Sequence, residues 1–184
     1  MFDLDRFVAD CRAALAADGS HRQVREVVAR AVSEPAAMPA ALGEPARAGL
    51  NELHRSSDLT VRNVVWGPMM TVMPHNHLMW AVIGIYTGRE DNIFWRRVAG
   101  CPGKVEAAGA KALSAGDAAP LGRDIIHSVT NPIPRLTAAL HVCGGDFFDP
   151  AGRSEWDSET LLEQPRDLER AARRFEEANK RLAT

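Results

Sequence analysis

The hydrophobic residues in the first third of the chain recur at the spacing of an α-helix. One stripe consists of Leu4, Phe7, Val8, Cys11 and Leu15, and a second of Val24, Val27, Val28, Ala31 and Val32. Gly19 is a typical residue for the end of the first helix, and Ser20 followed by Gln23 has the form of a capping box that starts the second. The pattern predicts two amphipathic helices, the second ending near Pro35, and then an Ala-, Pro- and Gly-rich connector over residues 35–50.

From residue 59 to residue 148 the pattern changes to short apolar runs separated by Gly, Pro and Asp. The runs cover residues 59–66, 69–74, 79–87, 92–98, 117–121, 125–129 and 135–143. Many short strands with turn signals are typical of a β-sandwich or a β-barrel. After Pro165 a last amphipathic stripe predicts a C-terminal helix, which the i,i+4 pair Glu169–Arg173 supports.

These patterns together predict one domain with three parts. Residues 1–50 form an N-terminal helical segment that packs on a barrel of residues 51–150, and residues 151–184 form a C-terminal extension and helix. A chain of 184 residues is long enough to bury a sizeable core. The expected fold class is therefore an all-β core with helices at both ends.

Composition narrows the classes of function. A net charge of −2 and an isoelectric point near 6.3 argue against a general nucleic-acid-binding protein. No apolar run is long enough to cross a bilayer, and the N-terminus lacks a basic region followed by an apolar stretch, so we expect no membrane partner. Cys11, Cys101 and Cys143 form no CxxC pair, which favours a reduced, cytoplasmic setting. The oligomeric state stays open between monomer and homodimer.

Three histidines carry the most specific chemical signal. His75 and His77 are one residue apart in a strand-like segment, so their side chains point to the same face. His127, on a later predicted strand, could complete a face of three imidazoles. Imidazole nitrogens suit iron, zinc, copper and nickel, and three neutral ligands leave metal positions open for a substrate. The alternative is that His75 and His77 are ordinary strand residues unrelated to His127. A lone HxH motif often occurs by chance.

A β-rich core with these motifs resembles the cupins, small double-stranded β-helix (jelly-roll) barrels. The first cupin motif contains an HxH, a metal-binding Glu and a later Gly, and here His75-Asn76-His77 is followed by Ala81 at the place of the Glu and then by Gly88. The second motif is matched by Gly116, Pro120-Leu121-Gly122, His127 and Asn131. The resemblance implies a metal site of His75, His77 and His127 without a carboxylate.

A three-histidine site is similar to that of the cysteine dioxygenase-like thiol dioxygenases. Trp66-Gly67 precedes the HxH as a Trp-Gly does in that family, and Leu140-His141-Val142-Cys143 is similar to its Leu-His-x-Tyr segment. The resemblance implies an Fe(II) enzyme, with Zn, Ni, Mn or Cu as open alternatives, that adds O2 to a small thiol and gives a sulfinate. His141 would then lie close to the metal and contact a bound molecule or orient a ligand. The alternative is a core histidine whose hydrogen bonds are satisfied within the barrel.

The chain departs from the family at several positions. Cys143 replaces the tyrosine that contacts substrate, Ala139 replaces a serine, and the cysteine that crosslinks to the tyrosine would fall near Val82. The arginine that binds the substrate carboxylate has no counterpart by alignment, so Arg62 or Arg123 would have to serve by convergence. The substrate could therefore be a different thiol or another small chelating molecule.

The remaining polar and aromatic candidates have ordinary alternatives. Trp80 could wall the pocket or belong to the core, and Cys143 could be a reactive thiol or a small buried hydrophobe. Glu90 and Asp91 are predicted to lie in a solvated turn, and His21 and His54 on the surface. Two other functions compete with a thiol dioxygenase: a cupin that uses another divalent metal for non-oxidative chemistry, and a barrel that binds a ligand without turnover.

Overall fold

The computed structural model describes residues 2–18, 21–34, 36–149 and 151–182. The helices span Leu4–Asp18 (α1), His21–Val32 (α2), Ala37–Leu42 (α3) and Leu168–Leu182 (α4). The predictions of both N-terminal helices and of the C-terminal helix are therefore confirmed, whereas the predicted roles of Gly19, Ser20 and Pro35 fall outside the described residues. No described helix combines the length and the apolar character that a membrane crossing requires.

Eleven strands are found among the described residues, and all pair antiparallel within two sheets. They span Gly49–Arg55 (β1), Thr60–Trp66 (β2), Thr71–Asn76 (β3), Ala81–Thr87 (β4), Arg89–Arg97 (β5), Val105–Ser114 (β6), Ala118–Leu121 (β7), Ile126–Thr130 (β8), Thr137–Cys143 (β9), Ser154–Trp156 (β10) and Glu163–Pro165 (β11). One sheet has the order β1-β2-β9-β4-β7 and the other β11-β10-β3-β8-β5-β6.

The chain passes repeatedly from one sheet to the other, which makes the fold a double-stranded β-helix. Strands β2, β4, β7 and β9 lie in the first sheet, and β3, β5, β6 and β8 in the second. This crossing connectivity is the jelly-roll arrangement, in which two sheets enclose one interior. The predicted fold class, an all-β core with helices at both ends, is confirmed.

Each strand of the first sheet has one face toward the barrel interior and one toward the helices. In β9, Ala139 and Cys143 belong to the interior cluster, whereas Leu140 and Val142 pack with the helical segment. Helix α2 approaches β4 so closely that a Cβ on Gly84 would lie 2.4 Å from Cγ1 of Val28. The N-terminal helices therefore close the outer face of this sheet.

Four strands were not predicted, for three reasons. Strand β1 begins in the segment expected to be a connector, which also contains α3. Strand β6 is an edge strand that is mostly exposed and rich in Ala, so it has no hydrophobic alternation. Strands β10 and β11 have only three residues each, too few to show a period.

One irregularity in β3 affects the site. Strand β3 pairs with β8, and Val72 lies opposite Val129 while His75 lies opposite His127. Met73 and Pro74 of β3 therefore lie opposite the single residue Ser128 of β8, which is a β-bulge with one extra residue in β3.

Candidate metal centre

Two antiparallel strands and the residue that follows one of them bring the three predicted histidines together. His75 in β3 lies directly opposite His127 in β8, and His77 comes just after the last residue of β3. All three are buried, and one ligand nitrogen from each lies within 4.8 Å of the others. The prediction that His127 reaches the HxH pair is confirmed.

The spacing of the imidazole nitrogens fits a shared divalent ion. The Nε2 atom of His77 is 3.2 Å from Nε2 of His75 and 3.3 Å from Nε2 of His127. Imidazole nitrogens lie about 2.0–2.1 Å from a zinc ion, and at ordinary coordination angles two of them are therefore roughly 2.9–3.4 Å apart. The three rings thus present a possible metal-binding face composed only of nitrogen.

Hydrogen bonds fix the orientation of two of the three rings. Nδ1 of His75 is 2.8 Å from the carbonyl oxygen of Met73, and Nδ1 of His127 is 2.8 Å from Oδ1 of Asn92. Because an oxygen of this kind only accepts, each Nδ1 carries a proton and donates it. The Nε2 atoms of both rings therefore have free lone pairs, as a metal ligand requires.

Burial keeps the three imidazoles neutral. It lowers the pKa of His127 to about 4 and places the pKa values of His75 and His77 well below their ordinary range. Neutral imidazole is the form that binds a metal, so no proton has to leave the site at neutral pH.

A stability measurement tests this neutrality. We expect the free energy of unfolding of the metal-free protein to be at its full value above pH 6.5 and to fall between about pH 6.5 and 4, because the unfolded chain binds a proton at His127 that the folded chain excludes. The loss attributable to His127 is at most about 3 kcal/mol. Urea titrations at several pH values would measure it. A His127→Gln variant with an equally steep pH dependence would contradict the prediction.

The histidines line a small internal cavity of about 30 Å³ together with Arg62, His141 and several apolar side chains. At roughly 10–15 Å³ for each water centre, this space holds about two water molecules. An open cleft of about 810 Å³ lies on the other side of His77 and is also lined by Met79, Arg123 and Arg153. His77 therefore lines both spaces, and the cleft reaches the triad at this residue.

Arg62, one of the two arginines considered from the sequence, lies in the wall of this cavity. Its side chain is almost fully buried, with Nη2 3.6 Å from Sγ of Cys143 and the guanidinium carbon 3.3 Å from the centre of the Phe147 ring. Its Nε atom has no hydrogen-bond partner in the described part of the chain. Burial lowers the pKa of Arg62. A buried cation with a free donor is a place where an anionic ligand would gain a hydrogen bond.

His141 faces the same cavity from β9, opposite Arg62 on β2. Neither of its ring nitrogens has a hydrogen-bond partner among the described residues. The nearest carboxylate oxygen, Oε2 of Glu90, is 3.7 Å from Nε2, which is too long for a hydrogen bond. Burial lowers the pKa of His141, so at neutral pH it is a neutral ring that can both donate and accept.

The other predicted candidates lie outside the cavity. Cys143 is buried in the interior cluster, and its Sγ lies beside Nη2 of Arg62. Trp80 stacks on the ring of His21 with 5.8 Å between centroids, outside the lining of the cavity. Arg123 lines the open cleft. His54, in β1, is half-buried beside Arg12 and takes no part in the triad.

Glu90 was predicted to lie in a solvated turn, and this prediction is wrong. Glu90 is in β5, and its side chain is fully buried. It accepts hydrogen bonds from Nε1 of Trp66 and from Nδ2 of Asn92. Asp91 points away from it and pairs with Arg89 at the surface. The strand period would have separated the two acids, because neighbouring residues in a strand face opposite ways.

No family model and no curated protein matches the chain. Solved structures are similar to parts of it. An uncharacterized conserved protein with a double-stranded β-helix domain from Klebsiella pneumoniae has 16% identity and a TM-score of 0.45 over 62% of this chain and 90% of its own. DMSP lyase from Ruegeria pomeroyi has 20% identity and a TM-score of 0.43, over 57% and 50% of the two chains. Oxalate decarboxylase from Bacillus subtilis has 15% identity and a TM-score of 0.44, over 54% and 24%. Similarity at this level carries no information about activity.

Proposed function

We propose that this protein is a non-haem Fe(II)-dependent dioxygenase that adds both atoms of O2 to the sulfur of a small anionic thiol. The observation that carries the proposal is the buried face of three neutral imidazoles beside Arg62, a buried cation whose Nε has no hydrogen-bond partner among the described residues. The reaction converts a thiolate and O2 into a sulfinate, so sulfur is oxidised by four electrons and no external reductant is needed.

His75, His77 and His127 would hold the metal. Iron(II), when bound, supplies the redox chemistry with O2 and lowers the pKa of a thiol that coordinates it. Because the three ligands are neutral, the full positive charge of the ion is available to stabilise a thiolate.

Arg62 and His141 would bind the rest of the substrate. Arg62 lines the cavity beside the triad, and its Nε, which no described residue pairs, suits a carboxylate attached to the thiol. Arg166 also lines the cavity, so the charge around the triad favours an anion. His141, on the opposite strand to Arg62, can donate a hydrogen bond to an oxygen atom of the reacting group.

The entrance would lie on the side of His77 that faces the cleft. The internal space of about 30 Å³ is too small for a thiol with a carboxylate, and the Phe147 ring fills the volume next to it, 5.4 Å from the His77 ring. Phe147 belongs to the segment after β9, and its ring packs against the guanidinium of Arg62. A substrate carboxylate that binds Arg62 would take the place of this ring.

Oxygen uptake by the iron-loaded protein tests the proposal. Protein purified and reconstituted with Fe(II) under anaerobic conditions is expected to consume one O2 for each thiol converted, with the sulfinate identified by mass spectrometry. The thiols would be compared in pairs that differ only in a carboxylate. Iron binding without uptake of O2 on any thiol would reject the dioxygenase and leave non-oxidative metal chemistry. Failure of the protein to bind iron or any other divalent metal would reject both and leave a ligand-binding barrel.

A further inference from the structure

A chain of buried side-chain hydrogen bonds runs from the indole of Trp66 to the predicted metal ligand His127. Nε1 of Trp66 donates to Oε2 of Glu90 at 2.7 Å, and Nδ2 of Asn92 donates to Oε1 of Glu90 at 2.9 Å. Oδ1 of Asn92 accepts from Nδ1 of His127 at 2.8 Å. Glu90, Asn92 and His127 are at most 2% exposed, so water does not compete for these bonds.

The carboxylate of Glu90 determines the direction of every bond in this chain. An ionised carboxylate only accepts hydrogen bonds, so Asn92 must present its amide nitrogen to Glu90. The amide oxygen of Asn92 then faces His127, and Nδ1 of His127 must carry the ring proton. Burial by itself raises the pKa of Glu90, but the nearby His141 and the bonds from Asn92 and Trp66 lower it below its ordinary value.

We propose that Glu90 is a positioning residue that holds His127 in the tautomer able to bind a metal through Nε2. It acts through the amide of Asn92, which it orients and which bonds to both Glu90 and His127. This inference rests on the proposed function only in that the triad holds a metal.

His127 is the ligand for which such control is needed. The tautomer of His75 is fixed by the backbone carbonyl of Met73, which no other side chain can reorient. The orientation of an asparagine amide, in contrast, depends on what its other end binds, since its two ends are nearly the same in shape. Without Glu90, Asn92 could turn and donate to His127, which would move the ring proton to Nε2 and block the ligand position.

Glu90 is not itself a candidate ligand. Both of its oxygens already accept hydrogen bonds, and it does not belong to the group of ligand atoms formed by the three histidines. The competing explanation is a purely structural one, in which Glu90 satisfies the buried indole of Trp66 and has no effect on the metal.

A Glu90→Gln substitution separates these explanations when it is combined with a change at position 92. In Glu90→Gln, the new amide has one acceptor, which the Trp66 N–H requires, and its NH2 group faces Asn92. Asn92 then turns, and His127 receives a donor where it had an acceptor. Changes to groups that orient metal-bound histidines typically reduce metal affinity by about 10–100-fold, and we expect a loss of this size.

The double variant Glu90→Gln/Asn92→Asp is expected to restore the affinity. A carboxylate at position 92 accepts from the amide at position 90 and from Nδ1 of His127, so every bond is again paired and the total charge is unchanged. A merely structural role of Glu90 predicts no such rescue, because the second substitution does not change the partner of Trp66. Asn92→Asp alone serves as the matched control, because it places two carboxylates in contact.

Three measurements on the full chain decide the matter: the Fe(II) dissociation constant by competition with a chelator, the ring-nitrogen chemical shifts of His127 in the metal-free protein, and the unfolding midpoint. We expect Glu90→Gln to weaken metal binding and to remove the proton from Nδ1 of His127. The double variant should restore both. Unchanged affinity in Glu90→Gln, or equal loss in both variants, would overturn the inference. If the wild type binds no metal, the proposed function fails, but the chemical shifts of His127 still show whether Glu90 sets its tautomer. Failure of this inference is therefore distinct from failure of the proposed function.

Discussion

Replacement of His127 by alanine is expected to abolish stoichiometric iron binding, whereas the wild type retains about one ion for each chain. The variant keeps only His75 and His77, which come from neighbouring positions at one strand end and can occupy only two sites on an ion. The cost should exceed the roughly 100-fold typical of changes to groups that merely orient a ligand. Iron content after anaerobic reconstitution and gel filtration measures the effect.

The matched control is His54→Ala, because His54 lies in β1 outside the triad. It should leave the iron content unchanged, and equal loss in both variants would indicate general damage. Chemical complementation provides a second control. His127→Gly leaves a space in which free imidazole can bind, and added imidazole should restore part of the iron. Full iron occupancy in His127→Ala would remove His127 from the ligand set.

Replacement of Arg62 by glutamine is expected to reduce kcat/KM for a thiol that carries a carboxylate by about 10–150-fold, mainly through KM. Hydrogen bonds to charged groups contribute roughly 1.5–3 kcal/mol, and each 1.4 kcal/mol corresponds to a factor of ten. The guanidinium binds a part of the substrate that does not react, so ground state and transition state should lose the same interaction. Steady-state oxygen uptake with a thiol and with its analogue that lacks the carboxylate measures the difference.

Arg123→Gln is the control, because Arg123 lines the open cleft and not the internal cavity. We expect it to change kcat/KM by less than about threefold, as is usual for an exposed charge. If Arg62→Gln affects the thiol with and without a carboxylate equally, Arg62 supports the structure of the site and does not bind the anion.

The parts of the site that were predicted from the sequence are those that follow from a short repeat or a family motif. The two-residue spacing of His75 and His77 fixes a common face, and the motif around His127 predicted the third histidine of the group. The pattern in β9 likewise separated His141 from Leu140 and Val142, because alternation is preserved in a regular strand.

The buried polar network could not be predicted in the same way. Glu90 lies between Arg89 and Asp91, and such a charged run is typical of a solvated turn. Its burial depends on partners that are distant in sequence or hidden by the turn signal, namely Trp66 and Asn92. The contact with Trp66 arises where the two sheets face each other, and a single sequence does not show which residues meet there.

The bulge in β3 allows the histidine triad to tolerate the loss of one residue. Val72 and His75 both line the cavity although they are three residues apart, whereas their partners Val129 and His127 line it two residues apart. Residues three apart in a regular strand face opposite sides of the sheet, so the extra residue is what allows Val72 and His75 to share the cavity face. Deletion of one residue between them would leave a regular strand in which the two lie two residues apart and still face the cavity. Homologues with and without the extra residue are therefore expected to present the same three histidines.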